Sequence, residues 1–251
     1  MKAQNDKPEH SSEHRDSMHD KGCLLVTGGS RGIGRACCEA LGEAGYRTLS
    51  LSRTAPVTPL ASDTHVSIDL SDLDEVTRCL KVLLNEHDIS GLICNAGRGD
   101  IGSLENFSAK QIQQSITFNL ISPLCIARLC LPALRRQSRS NIVFIGSTSA
   151  LQGARYGSVY SAAKFGLRGV AQSLAHEVAN ANCHVGIVQP GMVRTGFFDE
   201  LDFAPGPAES HALLDSDVAR AVLSMVSSPD HAVVSELVVQ PRQHVVQKRK
   251  R

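Results

Sequence analysis

Seven short apolar runs alternate with segments of helical period along almost the whole chain, and this alternation constrains the fold more than any other feature of the sequence. The strand candidates are 23–28, 47–51, 65–68, 91–94, 141–146, 183–188 and 235–239. Between them the spacing predicts helices over 33–44, 71–86, 108–135, 157–180 and 216–227. In the first, Ile33, Ala36, Cys37, Ala40, Leu41 and Ala44 form one apolar stripe, and Gly45 supplies a stop. Ser108 and Gln111 make a capping box that opens the long helix over 108–135. Strands that are apolar throughout, each followed by a helix, fit a parallel sheet covered on both faces. No repeat or linker divides the 251 residues, so a single doubly wound α/β domain over 22–240 is expected.

The ends differ from this body. Residues 1–21 hold almost nothing that could pack and read as a disordered polar arm, with His10, His14 and His19 as part of that tract rather than as a metal site. Residues 241–251 form a basic tail ending in KRKR, read as a solvated terminus. The body between carries a net charge near −3, which argues against a nucleic-acid-binding domain. No export signal and no run near the roughly 18 apolar residues of a membrane span are seen, so a cytoplasmic location off the membrane is expected. Cys23, Cys94 and Cys183 fall in strand-like runs and Cys37, Cys79, Cys125 and Cys130 in helix-like ones. They read as buried reduced thiols, and no metal-ligand spacing is present.

The first strand runs into Thr27-Gly28-Gly29-Ser30-Arg31-Gly32-Ile33-Gly34 and then directly into a helix. Free N–H groups and the positive end of the helix macrodipole at such a turn suit a pyrophosphate. Gly28 and Gly32 let the backbone approach the ligand, and Gly34 lets the helix pack closely on the sheet. The spacing is G-x-x-x-G-x-G, not the G-x-G-x-x-G of other dinucleotide turns. An NAD site usually places an acid about 20 residues on, against the ribose hydroxyls. Here no acid occurs between Glu43 and Asp63, while Arg53 follows the second strand and Arg31 sits inside the turn. Two guanidiniums suit a 2′-phosphate, so NADP(H) is the expected cofactor and NAD(H) the weaker candidate.

Tyr160 and Lys164 open a helical stretch at a spacing of four, which puts phenol and ammonium on one face. With only three tyrosines (46, 156, 160) and three lysines (81, 110, 164) between positions 22 and 240, this pair arises by chance about 0.04 times. A useful acid–base phenol needs its pKa lowered from about 10 toward 7, roughly 4 kcal/mol, and one ammonium about 4 Å away supplies that at an effective dielectric near 20. Lys164, helped by the charge of an oxidised nicotinamide, is therefore expected to depress Tyr160.

TGGSRGIG, Asn95-Ala96-Gly97, Asn119, Ser147, Tyr160 with Lys164, and Pro190-Gly191-Met192-Val193-Arg194-Thr195 together resemble the classical short-chain dehydrogenase/reductase family, in order and approximate spacing, over about residues 22–240. The glycine turn is similar to those of 3-oxoacyl-carrier-protein reductases, and sibling ketone, sugar and hydroxy-acid reductases share it. The resemblance implies a Rossmann-type doubly wound sheet. It implies Tyr160 as proton donor in reduction, Lys164 as ribose ligand and pKa modifier, Ser147 as hydrogen-bond partner of the reacting oxygen, and Asn119 as holder of a relay water. It places the cofactor against Gly28, Ser30, Arg31, Gly32, Ile33, Gly34 and Arg53, with Asp69 and Leu70 at the adenine. Asn95 would support the cofactor cleft, Ala96, Gly97, Pro190, Gly191 and Val193 would be further cofactor contacts, and Thr195 would bind the nicotinamide carboxamide. Pro123, inside the helix over 108–135, cannot donate to the Asn119 carbonyl and is expected to kink the helix there.

The usual family ending, a strand followed by a glycine pair, is missing, so a tetramer contact built on that terminus is in doubt. A homodimer through 108–135 and 157–180, or a homotetramer, is the family-like expectation. Residues 192–215 are expected to form a substrate lid, and Phe197, Phe198 and Phe203 suit an apolar carbonyl or alcohol substrate. Arg98 and Arg155 flank the pocket and could grip an anionic group of the substrate or stand as surface residues. The rival readings are a non-catalytic NADP(H)-binding redox sensor and a methyltransferase with a similar first turn. Deleting 241–251 should cost the sensor its partner and barely touch an enzyme.

Overall fold

The computed structural model describes residues 21–248. Residues 1–20, with the three histidines, and the last three residues of the KRKR ending lie outside the described residues, so the reading of the arm is not addressed. The described chain builds β1 (Cys23–Thr27), α1 (Gly32–Glu43), β2 (Arg47–Ser52), β3 (Asp63–Ser67), α2 (Leu73–Glu86) and β4 (Ile89–Cys94). After these come α3 (Ala109–Ile116), α4 (Ser122–Leu134), β5 (Ser140–Ile145), α5 (Ser158–Glu177), β6 (Cys183–Pro190), β7 (Phe203–Pro205), α6 (Asp215–Val226), β8 (Glu236–Val239) and β9 (Val246–Lys248).

The sheet has the order β3-β2-β1-β4-β5-β6-β8, every pair parallel. The chain winds outward from β1 to β3, then returns to lay β4 on the other side of β1. That reversal leaves a crevice at the carboxyl ends of β1 and β4, where open α/β sheets bind ligands. Alternate side chains of each strand enter different cores. Leu25, Leu92, Ile142 and Phe144 pack with Leu80, Ile126, Leu134 and Leu167 from α2, α4 and α5. Leu24, Val26, Ile93 and Val143 pack with Cys37, Leu41, Val218 and Val222 from α1 and α6. Both faces are therefore covered, as the unbroken apolar strands required.

The helix signals act where they were read. Gly45 takes φ +92°, the Gly45 N–H reaches the Gly42 carbonyl at 3.0 Å and the Tyr46 N–H reaches that of Leu41 at 3.0 Å, which closes α1 with a Schellman motif. Ser108 and Gln111 exchange the two bonds of the capping box, at 2.9 and 3.3 Å. All eight cysteines are free. Burial pushes the thiols of Cys37, Cys38, Cys94 and Cys130 up, out of the reactive range.

Two features differ from the sequence reading. The helix over 108–135 is broken, not merely kinked: Thr117–Ile121 form one π-helical turn between α3 and α4. Pro123 in the first turn of α4 lacks the N–H that would continue an α ladder, and the wider turn absorbs the mismatch. The combined helix Ala109–Leu134 holds an 18-residue window of mean hydropathy 1.5, enough by length and composition to cross a bilayer, although no continuous apolar run announces it. Its place here is against α2, α5 and the sheet.

The second difference is a correction. Residues 241–248, read as the start of a solvated tail, pair instead with the segment over 203–210. β9 pairs antiparallel with β7, Phe203 opposite Lys248 and Pro205 opposite Val246. The Gly206 N–H bonds the Val245 carbonyl at 2.9 Å, and the Gln243 N–H bonds that of Ser210 at 3.0 Å. Backbone pairing at the lid outweighs the hydration that the basic side chains retain at the surface.

Candidate active site

The crevice between β1 and β4 is shaped by the absence of side chains. Gly28 and Gly32 take φ of +72° and +55°, in the region that favours glycine. A Cβ on Gly34 would lie 2.2 Å from the Gly28 carbonyl oxygen and 2.5 Å from Asn95 Nδ2, so only glycine lets α1 start this close to the sheet. Helix α1 has no side-chain cap and no acid in its first turn, which leaves its leading N–H groups to an anion. The turn thus fits the pyrophosphate of a dinucleotide. Thr27, which the sequence reading passed over, ties the far wall in place: its Oγ1 accepts the N–H groups of Asn95 at 2.9 Å and Ala96 at 3.0 Å. Asn95 Nδ2 returns a bond to the Thr27 carbonyl at 2.9 Å.

The other expected cofactor ligands sort into those at the crevice and those away from it. Ser30, exposed Arg31 and Ile33 lie on the turn itself, and Arg53 is exposed just past β2. The Asp69 carboxylate accepts the N–H and hydroxyl of Ser71, at 2.9 and 2.7 Å, which holds its pKa below the usual range. Leu70 differs: its side chain is buried in the core, and only its backbone remains for a ligand. On the far side, a methyl of Thr195 would lie 3.3 Å from a Cβ on Gly32, so the base of the lid meets the glycine turn. Pro190 ends β6, Gly191 carries Pro241 2.9 Å from where a side chain would begin, and buried Val193 bridges Leu213 across the lid.

Tyr160 and Lys164 stand one turn apart at the start of α5 and are both buried, 7% and 3% exposed. Lys164 Nζ donates to the Ile145 carbonyl at 2.9 Å and lies 5.8 Å from the Tyr160 ring centre. Ser147 stands just past β5, its Oγ accepts the Ser149 N–H at 3.1 Å, and its hydroxyl works to lower the pKa of the phenol. Asn119, in the π turn and wholly buried, accepts the Arg98 N–H at 3.0 Å and donates to the Ser115 carbonyl at 3.2 Å. A Cβ on Gly97 would sit 3.2 Å from Asn119 Oδ1 and 3.5 Å from Lys164 Nζ, so a bare backbone separates these two groups. The four residues expected to be catalytic surround one spot at the carboxyl edge.

The electrostatics correct one expectation. Burial pushes the Tyr160 phenol up to about 12, with the Ser147 bond working the other way, and burial brings the Lys164 ammonium down to about 8. In the polypeptide alone, desolvation of both groups outweighs the attraction that was to depress the phenol.

The segment expected to form the lid carries an aromatic chain. Tyr160 meets Phe197 edge-on at 5.9 Å, Phe197 meets Phe198 at 5.2 Å, and Phe198 meets Phe203 of β7 at 5.8 Å. Arg98 pairs with Asp100 at 2.9 Å, and Arg155 lies over the ring of its neighbour Tyr156, so each guanidinium already has company. A cavity of about 410 Å³ at the amino end of β6, lined by Ala175, Asn182 and Asp230, holds none of these groups. Among the described residues no cluster of three or more metal-ligating side chains occurs.

Strand order, glycine turn and the serine–tyrosine–lysine cluster define a dinucleotide-dependent oxidoreductase of α/β type. The short chain dehydrogenase pattern matches residues 22–204, and the chain belongs to that family. It is 32% identical to carbonyl reductase family member 4 of Xenopus laevis over 182 residues, 70% of this chain and 77% of that one. It is 26% identical to sepiapterin reductase of Chlorobaculum tepidum over 239 residues, covering 88% and 96%. The fold superposes on an alcohol dehydrogenase of Thermococcus sibiricus complexed with 5-hydroxy-NADP, with a TM-score of 0.77, 23% identity, and 89% and 98% of the two chains covered. The protein is an NAD(P)-dependent oxidoreductase with a nicotinamide cofactor.

Proposed function

We propose that the protein is an NADP(H)-dependent reductase that converts a carbonyl to a secondary alcohol and back, with Tyr160 as the proton donor. The carrying observation is the cluster at the carboxyl edge: a buried phenol whose pKa Ser147 works to lower, one helical turn from a lysine held on the Ile145 carbonyl. When bound, the dinucleotide supplies or accepts the hydride. The chain does the rest. Ser147 and Tyr160 hold the carbonyl oxygen, the phenol gives it a proton, and Lys164 and the Asn119 backbone carbonyl, which Pro123 cannot engage, face the path by which that proton is replaced. Arg31 on the turn and Arg53 just past β2, both exposed, and the lack of an acid between Glu43 and Asp63 support NADP(H). Phe197 against Tyr160 supports an apolar carbonyl substrate.

A homodimer is part of the proposal. Only 33% of the apolar window in Ala109–Leu134 is buried within one chain, and Ile121, Leu124 and Phe165 stand exposed on α4, its preceding turn and α5. A cytoplasmic location completes it.

Tyr160→Phe tests the reading. It should lower NADPH-dependent carbonyl turnover by about 10²- to 10⁴-fold while leaving NADPH affinity intact, as followed by NADPH fluorescence. Turnover near that of the parent enzyme would remove Tyr160 from the chemistry.

A further inference from the structure

Ser147 lies one residue past the last rung between β5 and β6, the bond from the Gly146 N–H to the Val188 carbonyl at 2.8 Å. Its own N–H bonds a side chain, the Gln189 carboxamide oxygen, at 2.8 Å. Gln189 is wholly buried, so an unmet amide group there would be costly. Both ends are met. Gln189 Nε2 donates to Glu236 Oε1 at 2.9 Å, and Arg168 grips the same carboxylate with two bonds of 2.8 and 2.9 Å. These partners allow one orientation of the carboxamide, oxygen toward the N–H donor and nitrogen toward the carboxylate. Gly146 makes the room, since a Cβ there would begin 2.0 Å from Gln189 Oε1. Arg168 in turn sits four residues beyond Lys164 and eight beyond Tyr160, on the same face of α5.

We infer that Gln189, Glu236 and Arg168 are positioning residues, a hydrogen-bonded brace from α5 through β8 to the backbone of Ser147 that keeps the serine hydroxyl on the Tyr160 phenol. The inference deepens the reductase reading and rests on it for its catalytic consequence. Tyr160 stands on a helix and Ser147 on the loop after a strand, so their mutual position depends on what joins those two elements. A paired, bidentate arginine is the stiffest polar joint available, and its bonds hold the Glu236 carboxyl below the usual range, so the joint stays ionised at neutral pH.

Gln189→Leu, Arg168→Met and Arg168→Lys test the brace, read by deuterium exchange at the Ser147 amide, NADPH affinity and the pH profile of diacetyl reduction. Gln189→Leu and Arg168→Met should speed Ser147 exchange and lower kcat roughly tenfold, with NADPH affinity within about twofold. The Ser147 bond works to lower the phenol pKa. Its loss should therefore move the alkaline limb of reduction, where the phenol loses its proton, to higher pH. Arg168→Lys should recover part of each effect. Unchanged Ser147 exchange and an unmoved limb would overturn the brace, whatever the loss of stability. Should Gln189→Leu fail to fold, the Arg168 pair decides: equal behaviour of Met and Lys overturns the inference, and recovery in Lys supports it. A parent enzyme that binds NADPH but leaves diacetyl untouched counts against the reductase reading alone, and the exchange result still decides the brace.

Discussion

The two halves of the carboxyl edge are built by opposite means. The cofactor half, from β1 to β4, is shaped by exclusion: Gly34 has a carbonyl oxygen 2.2 Å from where a side chain would begin, and Thr27 and Asn95 lock strand to strand. The other half, proposed to take the substrate, is shaped by addition, from aromatic rings stacked edge to edge and the three-residue strand β9. Exclusion leaves no alternative residue, whereas stacked rings and short strands can be exchanged one by one. A fold with one fixed half and one adjustable half can keep its cofactor while its substrate varies. Tyr160 and Lys164 lie on the seam and bear the cost of being buried between the two halves.

That cost gives the largest expected effect. Lys164 has a folded pKa of about 8 against an ordinary value of 10.5, so below pH 8 folding must bury a charged ammonium. Between the two values the unfolded chain binds more protons than the folded one, so stability contributed through this group rises with pH. Lys164→Met removes the group and leaves the buried thiols, so the difference between the two proteins isolates it. Relative to the variant, the parent protein without cofactor should gain about 3 kcal/mol between pH 7 and pH 10.5, as read from urea unfolding. A flat difference would mean that the ammonium is solvated and that the seam carries no such cost.

The fixed half is probed next. Gly34→Ala forces a methyl against the Gly28 carbonyl and Asn95, overpacking of a kind that costs on the order of 1–3 kcal/mol. NADPH affinity, measured by fluorescence titration, should fall about 10- to 100-fold, since the displaced atoms are those that shape the turn. An unaffected affinity would show that the turn yields, and the contrast between the halves would go.

What the sequence made legible follows the same division. The glycine turn, the capping box at Ser108 and the Tyr160/Lys164 pair are local: each is a spacing along one element, and each is found where the spacing put it. The π turn left only an indirect trace, Pro123, because a proline reports a missing hydrogen bond and not how the helix will accommodate it. The raised phenol was not legible at all, since burial of Tyr160 depends on Phe197 and the lid folding over it. Gln189 gave no signal either. A glutamine before Pro190 becomes informative only when β5, β8 and α5 bring Ser147, Glu236 and Arg168 to its two ends.

The pairing of β7 and β9 was the hardest to read, for these three-residue strands lie some 40 positions apart, one containing Pro205 and the other ending in Lys248. It also yields the smallest expected effect and the finest test of the adjustable half. Truncation after Gln240 removes β9 and the bonds from Gly206 to Val245 and from Ser210 to Gln243, while Arg194 still holds the carbonyls of Gly206 and Ala208. The lid should loosen without detaching. KM for an apolar carbonyl should rise about three- to tenfold, the scale of one or two modest hydrogen bonds, and NADPH affinity should stay within about twofold. Trypsin should cut faster after Arg194 in the truncated chain, because a strand that closes the lid also shields its backbone. If KM and cleavage are both unchanged, β9 merely rests on the lid; if NADPH affinity falls with them, the two halves are not separable and the fixed half extends to the chain's end.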